Sequence, residues 1–241
     1  MYLLPGFVTL VALATSVSGQ VTPEVTQLKQ RLDKLEQLTL DPIKLSDDFV
    51  IAFRAQAGIG KSVMDAFRKT GYHDDTAVAR SEMPCGCFDV HGWCDRHYRS
   101  RILDNWSTYG VHQVKLSLYQ RGREMAWVIF NAAGTTYDNW LDRARVVSSS
   151  WFDVRYSPSN YFSVTGDTLR ARHFFMNSHS KGCPDVVGWL AIKDRPDPCP
   201  WGQKSAYPAF IFSSTASKIN YNIPGTNCHA LTHAEFHVAS L

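Results

Sequence analysis

Past residue 19 the 241-residue chain has no apolar run long enough to span a bilayer, so the sequence predicts no transmembrane anchor. It also lacks the G-x-S-x-G turn of serine hydrolases and the H-E-x-x-H helix of zinc proteases. Acidic runs of the kind a mineral-binding polymer carries are missing too. The formal net charge of +3 is too small to point to nucleic acid as a partner. Only one N-glycosylation sequon is found, Asn105-Trp106-Ser107, which expects surface exposure around Asn105.

What is present is ample apolar material. Hydrophobic residues make up 44 % of the chain and aromatic ones 12 %, enough for one substantial core. Residues 1–19 read as a secretory signal: an apolar run from Leu3 to Ala14, broken by Pro5 and Gly6, precedes the small residues Val17 and Gly19. Residues 20–42 read as a short stalk, because Val25, Leu28, Leu32 and Leu35 fall at coiled-coil spacing between Pro23 and Asp41-Pro42. This seam would associate copies of the chain through residues 23–40. Its alternative is an amphipathic helix lying on its own domain. Residues 43–241 then form a single globular domain with a histidine-rich tail.

Six cysteines behind a signal peptide imply an oxidising, extracellular setting and up to three disulfides, the pairing of which spacing alone cannot choose. A Cys183–Cys199 bridge would enclose the apolar strand Val186–Ile192 between proline-rich turns and contribute roughly 3 kcal/mol by loop closure. Trp189 and Trp201 are expected near its sulfurs. Cys85, Cys87 and Cys94 lie among His91 and His97 in a zinc-like cluster, yet the compartment favours disulfides, with outward bridges to Cys94 and Cys228 as one possibility. In the tail, His229, His233 and His237 recur every four residues. On a helix adjacent members could share a metal, so they are the chain's candidate metal ligands; the alternative is a polar helix face.

Periodicity predicts an α+β fold, a mainly antiparallel β core with one or two short helices, stapled by disulfides. FVIAF at 49–53 reads as a strand. The following Gly58-Ile59-Gly60-Lys61-Ser62 outlines a P-loop, but Ala55 stands where the first glycine belongs, so it reads as a tight strand-to-helix turn. Residues 114–130 form a hairpin whose second strand, apolar on both faces, should be central. Thr135 and Asp138 suggest a capping box opening a helix that buries Tyr137, Trp140, Leu141 and Ala144. Further strands are expected near Trp151–Val154, Tyr161–Val164, Leu169–Met176 and Pro208–Ser213.

The segments AFRAQAGIGKSVMDAF, LDNW, IFNAAGTTYDNW, RVVSSSWFDV, NYFSVTGD, RHFFMN, GCPDVVGW and CPW resemble an uncharacterised cysteine-containing domain of secreted invertebrate proteins, notably of molluscs. That resemblance runs from about Phe49 to Ser213 and includes the Cys183 and Cys199 positions. It implies a secreted single domain and no particular chemistry.

These features favour a secreted, non-enzymatic extracellular module, oligomeric through its stalk. It would bind glycans or matrix components, in a lectin-like or shell-matrix role, through exposed aromatics and basic groups such as Arg96, Arg99 and Arg101 or Arg170 and Arg172. A secreted hydrolase of unknown substrate is the competing reading. No residue pair is spaced so that catalysis demands it, so no catalytic or cofactor-binding residue is assigned.

Overall fold

A computed structural model describes residues 23–28, 44–46, 49–88, 92–223, 228–230 and 233–240. The chain divides into two units, Met1–Thr39 and Leu40–Leu241. Of the first, residues 23–28 form a helix (α1) with Val25 and Leu28 exposed. Most of the expected stalk seam, Leu32 and Leu35 included, lies outside the described residues.

The second unit is built mostly from antiparallel strands. In chain order these are β1 (Lys44–Ser46), β2 (Phe49–Gln56), α2 (Val63–Arg68), α3 (Ala77–Glu82), β3 (Tyr98–Arg99), β4 (Val111–Gln120) and β5 (Arg123–Asn131). There follow β6 (Val146–Ser149), β7 (Tyr161–Ser163), β8 (Arg172–Ser180), β9 (Val186–Lys193), β10 (Ala209–Ser213), β11 (Ile219–Asn220), β12 (Cys228–Ala230) and β13 (His233–Ser240). One sheet has the order β1-β2-β13-β4-β5-β6 with β3 on β2; the other runs β12-β10-β9-β8-β7 with β11 on β9. Phe53, Leu116, Val128 and Phe130 of the first sheet share one core with Phe174, Met176, Trp189 and Phe212 of the second. Two layers burying one apolar interior is how half-buried strands satisfy their alternation.

The 114–130 hairpin forms as expected. Its two-residue turn has φ of 51° at Arg121 and 75° at Gly122, and both residues must adopt positive φ for the turn to match strand twist. The strand expected to be central is not. In β5 Ala126, Val128 and Phe130 are buried while Met125, Trp127 and Ile129 are half-covered, and β5 lies next to the sheet edge. β9, by contrast, is buried on both faces because the second sheet carries an outer core as well. There Val186 and Ala191 pack with Phe175, Cys199, Trp201 and Tyr221. The Cys183–Cys199 bridge forms across this outer layer. Trp201 lies beside it, whereas Trp189 points to the core between the sheets.

Three other expectations fail. Residues 132–142 make turns instead of a helix, closed by Asn139 accepting from the Thr136 amide (2.8 Å) and by Thr136 Oγ1 donating to Asp138 (2.6 Å). Local side-chain hydrogen bonds of this kind compete with helix formation. Trp140 and Leu141 are buried as expected, but Ala144 is exposed. Trp151–Val154 is a turn that buries Trp151 and Val154. The histidine tail is not helical: β13 inserts between β2 and β4, and β12 pairs with β10.

Inside the outer layer, Asp197 accepts from Arg172 Nε (2.9 Å), from the Cys199 amide (2.8 Å) and from Lys193 Nζ, and all three side chains of this charged cluster are buried. Lys193 also donates to the Arg170 carbonyl at 2.7 Å. Arg172 stacks 4.4 Å from the centre of the Trp201 ring. Burial pushes the Lys193 ammonium down to about 8. Buried charges persist only where such partners surround them.

A candidate binding cleft around the 57–62 turn

β2 ends in a turn where Gly58 and Gly60 adopt φ of 72° and 70°. Their amides donate to the carbonyls of Pro208 (2.9 Å) and Tyr207 (2.8 Å), which fixes the turn against the loop before β10. Ser62 caps α2, its Oγ accepting from the Asp65 amide at 3.0 Å. The same Oγ donates to Asp194 Oδ2 (2.7 Å), and the Val63 and Met64 amides donate to the Asp194 carboxylate at 2.8 and 3.1 Å. The place a phosphate would take in a P-loop is thus filled by the chain's own carboxylate. The P-loop outline is a structural turn.

The far wall is the 92–97 segment. Cys87 and Cys94 are joined. Gly86 and Gly92 approach so closely that a Cβ on Gly92 would lie 2.4 Å from the Gly86 Cα. This contact and the bridge hold Trp93 outward, 67 % exposed. His97 anchors the segment: Nδ1 accepts from the Gln56 amide (3.0 Å), so Nε2 carries the proton and donates to the Lys61 carbonyl (2.9 Å). Burial pushes this imidazole below its ordinary 6.5.

Two cavities flank the turn. One, of about 390 Å³, is lined by Lys61, Asp65, Lys69, Tyr72, Asp74 and Arg96 with Ser62, Ala66, His97 and Arg99. The other, of about 320 Å³, lies between Trp93 and the 204–211 segment. In the first, Lys69 Nζ stands 3.9 Å over the Tyr72 ring, and Lys61 Nζ donates to the Asp95 carbonyl at 3.3 Å. Arg96 grips Asp95 with Nε and Nη2 at 2.8 and 3.2 Å; this hydrogen bonding holds the Asp95 carboxyl low. Burial pushes the Asp74 carboxyl up, and burial with the Asp74 charge raises the Tyr72 phenol. Among the described residues Lys61 and Lys69 are in no ion pair. The arrangement offers donors, acceptors and two aromatic faces around one turn.

Of the basic residues singled out in the sequence, Arg96 faces this cleft. Arg99, Arg101 and Arg172 are buried structural cations: Arg99 donates to the Phe67 and Tyr72 carbonyls (3.0 and 3.1 Å) and to Asp104, and Arg101 donates to the Asp75 carbonyl at 2.7 Å. Arg170 pairs with Asp167 at 2.8 Å. Asn105 is half-buried, and the side-chain nitrogen a glycan would occupy donates to the Arg101 carbonyl at 3.0 Å. His229 lies on β12 in one sheet, while His233 and His237 lie on β13 in the other, so the helical stripe that suggested a shared metal does not exist. Among the described residues the only grouping with metal-ligand geometry is Cys87, Cys94 and Asp95, and its sulfurs are bonded to each other. Cys85 is a free, exposed thiol. Lys69, Tyr72, Trp93 and Asp194 carried no sequence signal; Asp194 acquires its role only through contacts with residues 62–64, far along the chain.

Protonating His97 would place a proton on Nδ1 facing the Gln56 N–H. Because its folded pKa lies below its unfolded one, the unfolded chain binds the extra proton first as pH falls below about 6.5, and stability drops there. Thermal melts from about pH 7 to about pH 5 should show this slope in the wild type and a shallower one in His97→Gln, whose amide can keep both hydrogen bonds. Identical slopes would show that the imidazole does not contribute.

Set against family models, curated proteins and solved structures, the chain finds no match in any of the three. Its function is argued from this geometry.

Proposed function

We propose that the protein is a non-enzymatic extracellular module that binds glycan chains across the 57–62 turn. The observation that carries this reading is the pairing of a cavity rimmed by Lys61, Lys69 and Tyr72 with the exposed Trp93 ring on the other side of one turn. Sugars present hydroxyls at their edges and C–H groups on their faces. Paired donors and acceptors take the former, and aromatic rings take the latter. Lys61 and Lys69, which form no ion pair among the described residues, favour carboxylated or sulfated sugars. The two disulfides fit an oxidising, extracellular setting, and association through residues 23–40 would multiply weak sites into avidity.

The hydrolase reading has one serine–lysine contact to consider. Lys218 Nζ donates to Ser157 Oγ and lies 3.5 Å from Asp153. An ammonium that donates to the hydroxyl while paired with a carboxylate is not placed to take the hydroxyl proton, so this contact is structural.

A glycan array with the secreted protein tests the proposal. Sulfated or uronate-containing chains should bind. Lys61→Ser with Lys69→Ser should weaken them about tenfold or more, as loss of two charge-assisted contacts implies. Trp93→Ala should weaken charged and neutral glycans alike. Equal binding by wild type and both variants would remove the site.

A further inference from the structure

We propose that a second surface, remote in sequence from the cleft, docks on an anionic lipid bilayer. After β6 the chain makes a tight turn at 151–157 in which Trp151, Val154 and Ser157 are buried. Phe152, Arg155 and Tyr156 face outward: Phe152 is 70 % exposed and Tyr156 82 %. Among the described residues these are the most exposed aromatic side chains of the second unit, and the turn is well anchored. Trp151 Nε1 donates to the Ser213 carbonyl at 3.0 Å, and Asp153 is turned inward to accept from Trp189 Nε1 at 2.8 Å. The rings therefore project from a rigid support.

The side chains of Arg143 and Arg155 are held at this turn, while a third arginine, Arg145, lies just ahead of β6. Arg143 donates to the Arg155 carbonyl (2.9 Å), Arg155 to the Val147 carbonyl (3.3 Å), and Arg145 to the Asn131 and Ala133 carbonyls (3.3 and 3.1 Å). Each guanidinium is oriented by backbone oxygen, and among the described residues none is ion-paired to a carboxylate. Of the acids nearest in sequence, Asp142 accepts from the Ala144 amide at 2.8 Å and Asp153 is paired with Lys218 at 3.5 Å. The patch is thus two protruding rings with two cations, Arg143 and Arg155, that form no ion pair among the described residues, and the exposed Val147 of edge strand β6 beside them.

This combination fits a phospholipid surface better than a sugar chain. Phe152 has no polar atom with which to read hydroxyls. Aromatic side chains enter the headgroup boundary, while arginines meet the lipid phosphates and carboxylates. None of the cleft residues takes part.

Vesicle co-sedimentation of the full secreted chain tests the proposal, using phosphatidylcholine with and without phosphatidylserine at low salt. Binding is expected only with phosphatidylserine and should be lost at high salt. Phe152→Ser with Tyr156→Ser, which removes no hydrogen bond of the turn, should lower vesicle affinity roughly tenfold or more while leaving the melting temperature unchanged. Arg143→Gln with Arg155→Gln should do the same, since each arginine near an anionic leaflet adds comparable affinity. Equal binding to both vesicle types, unchanged binding by the aromatic variant, or no binding to any vesicle would overturn the proposal. So would heparin binding that these variants abolish without any vesicle binding, because the patch would then read a glycan.

Discussion

Deleting residues 233–241 is expected to leave a chain that does not fold. β13 is hydrogen-bonded on both sides, to β2 from His233 to Ala239 and to β4 from His233 to Ser240. It is antiparallel to both, so β2 and β4 run parallel to each other and cannot replace it by simple re-pairing. Closing the gap would shift half of the seven-stranded sheet by about 4.8 Å, out of register with the core of the second sheet. Left open, the sheet has two long unpaired edges in its middle, a template for aggregation. The truncated chain should show no cooperative thermal transition by circular dichroism and should recover mainly as aggregate. A soluble domain melting within a few degrees of the wild type would show that β13 is dispensable.

Asp197→Asn should be the most damaging single side-chain change. The carboxylate is the shared partner of Arg172 and Lys193, and it packs so closely on Gly202 that a Cβ there would lie 2.5 Å from its Oδ1. Burial alone would raise the Asp197 carboxyl, but hydrogen bonds from Lys193 and Arg172 hold it below the usual range. The amide leaves two buried cations without a counter-charge, for which about 3–5 kcal/mol is the expected loss. Lys193→Met leaves Arg172 and Asp197 as a one-to-one pair and should cost far less. Urea unfolding checks both; an Asp197→Asn loss under about 1 kcal/mol would mean that the cations find other partners.

Local pattern made part of this fold legible. The β4–β5 hairpin, the strand bracketed by Cys183 and Cys199, and the glycine turn after β2 follow from alternation, proline boundaries and positive-φ residues within a few positions of each other. The tail misled because His229, His233 and His237 carry helical spacing, whereas the open place between β2 and β4 decides its structure. Likewise Thr135 and Asp138 looked like a helix cap, but Thr136 and Asn139 close a turn first. Trp127 made β5 look central, although its face is only half-covered. The cleft was least visible of all. Asp194 caps α2 from more than a hundred residues away, and Trp93 and Tyr72 come to flank one turn only when the Cys87–Cys94 loop and α2 are brought to it.

The most direct measurement of the binding proposal is a nuclear magnetic resonance titration of the isotope-labelled protein with a sulfated disaccharide. Shifts should concentrate at the Trp93 indole, Tyr72, and the amides of 57–62 and 92–97, and saturate together. Saturable shifts confined to other surfaces, or no shifts at all among these residues, would contradict the account.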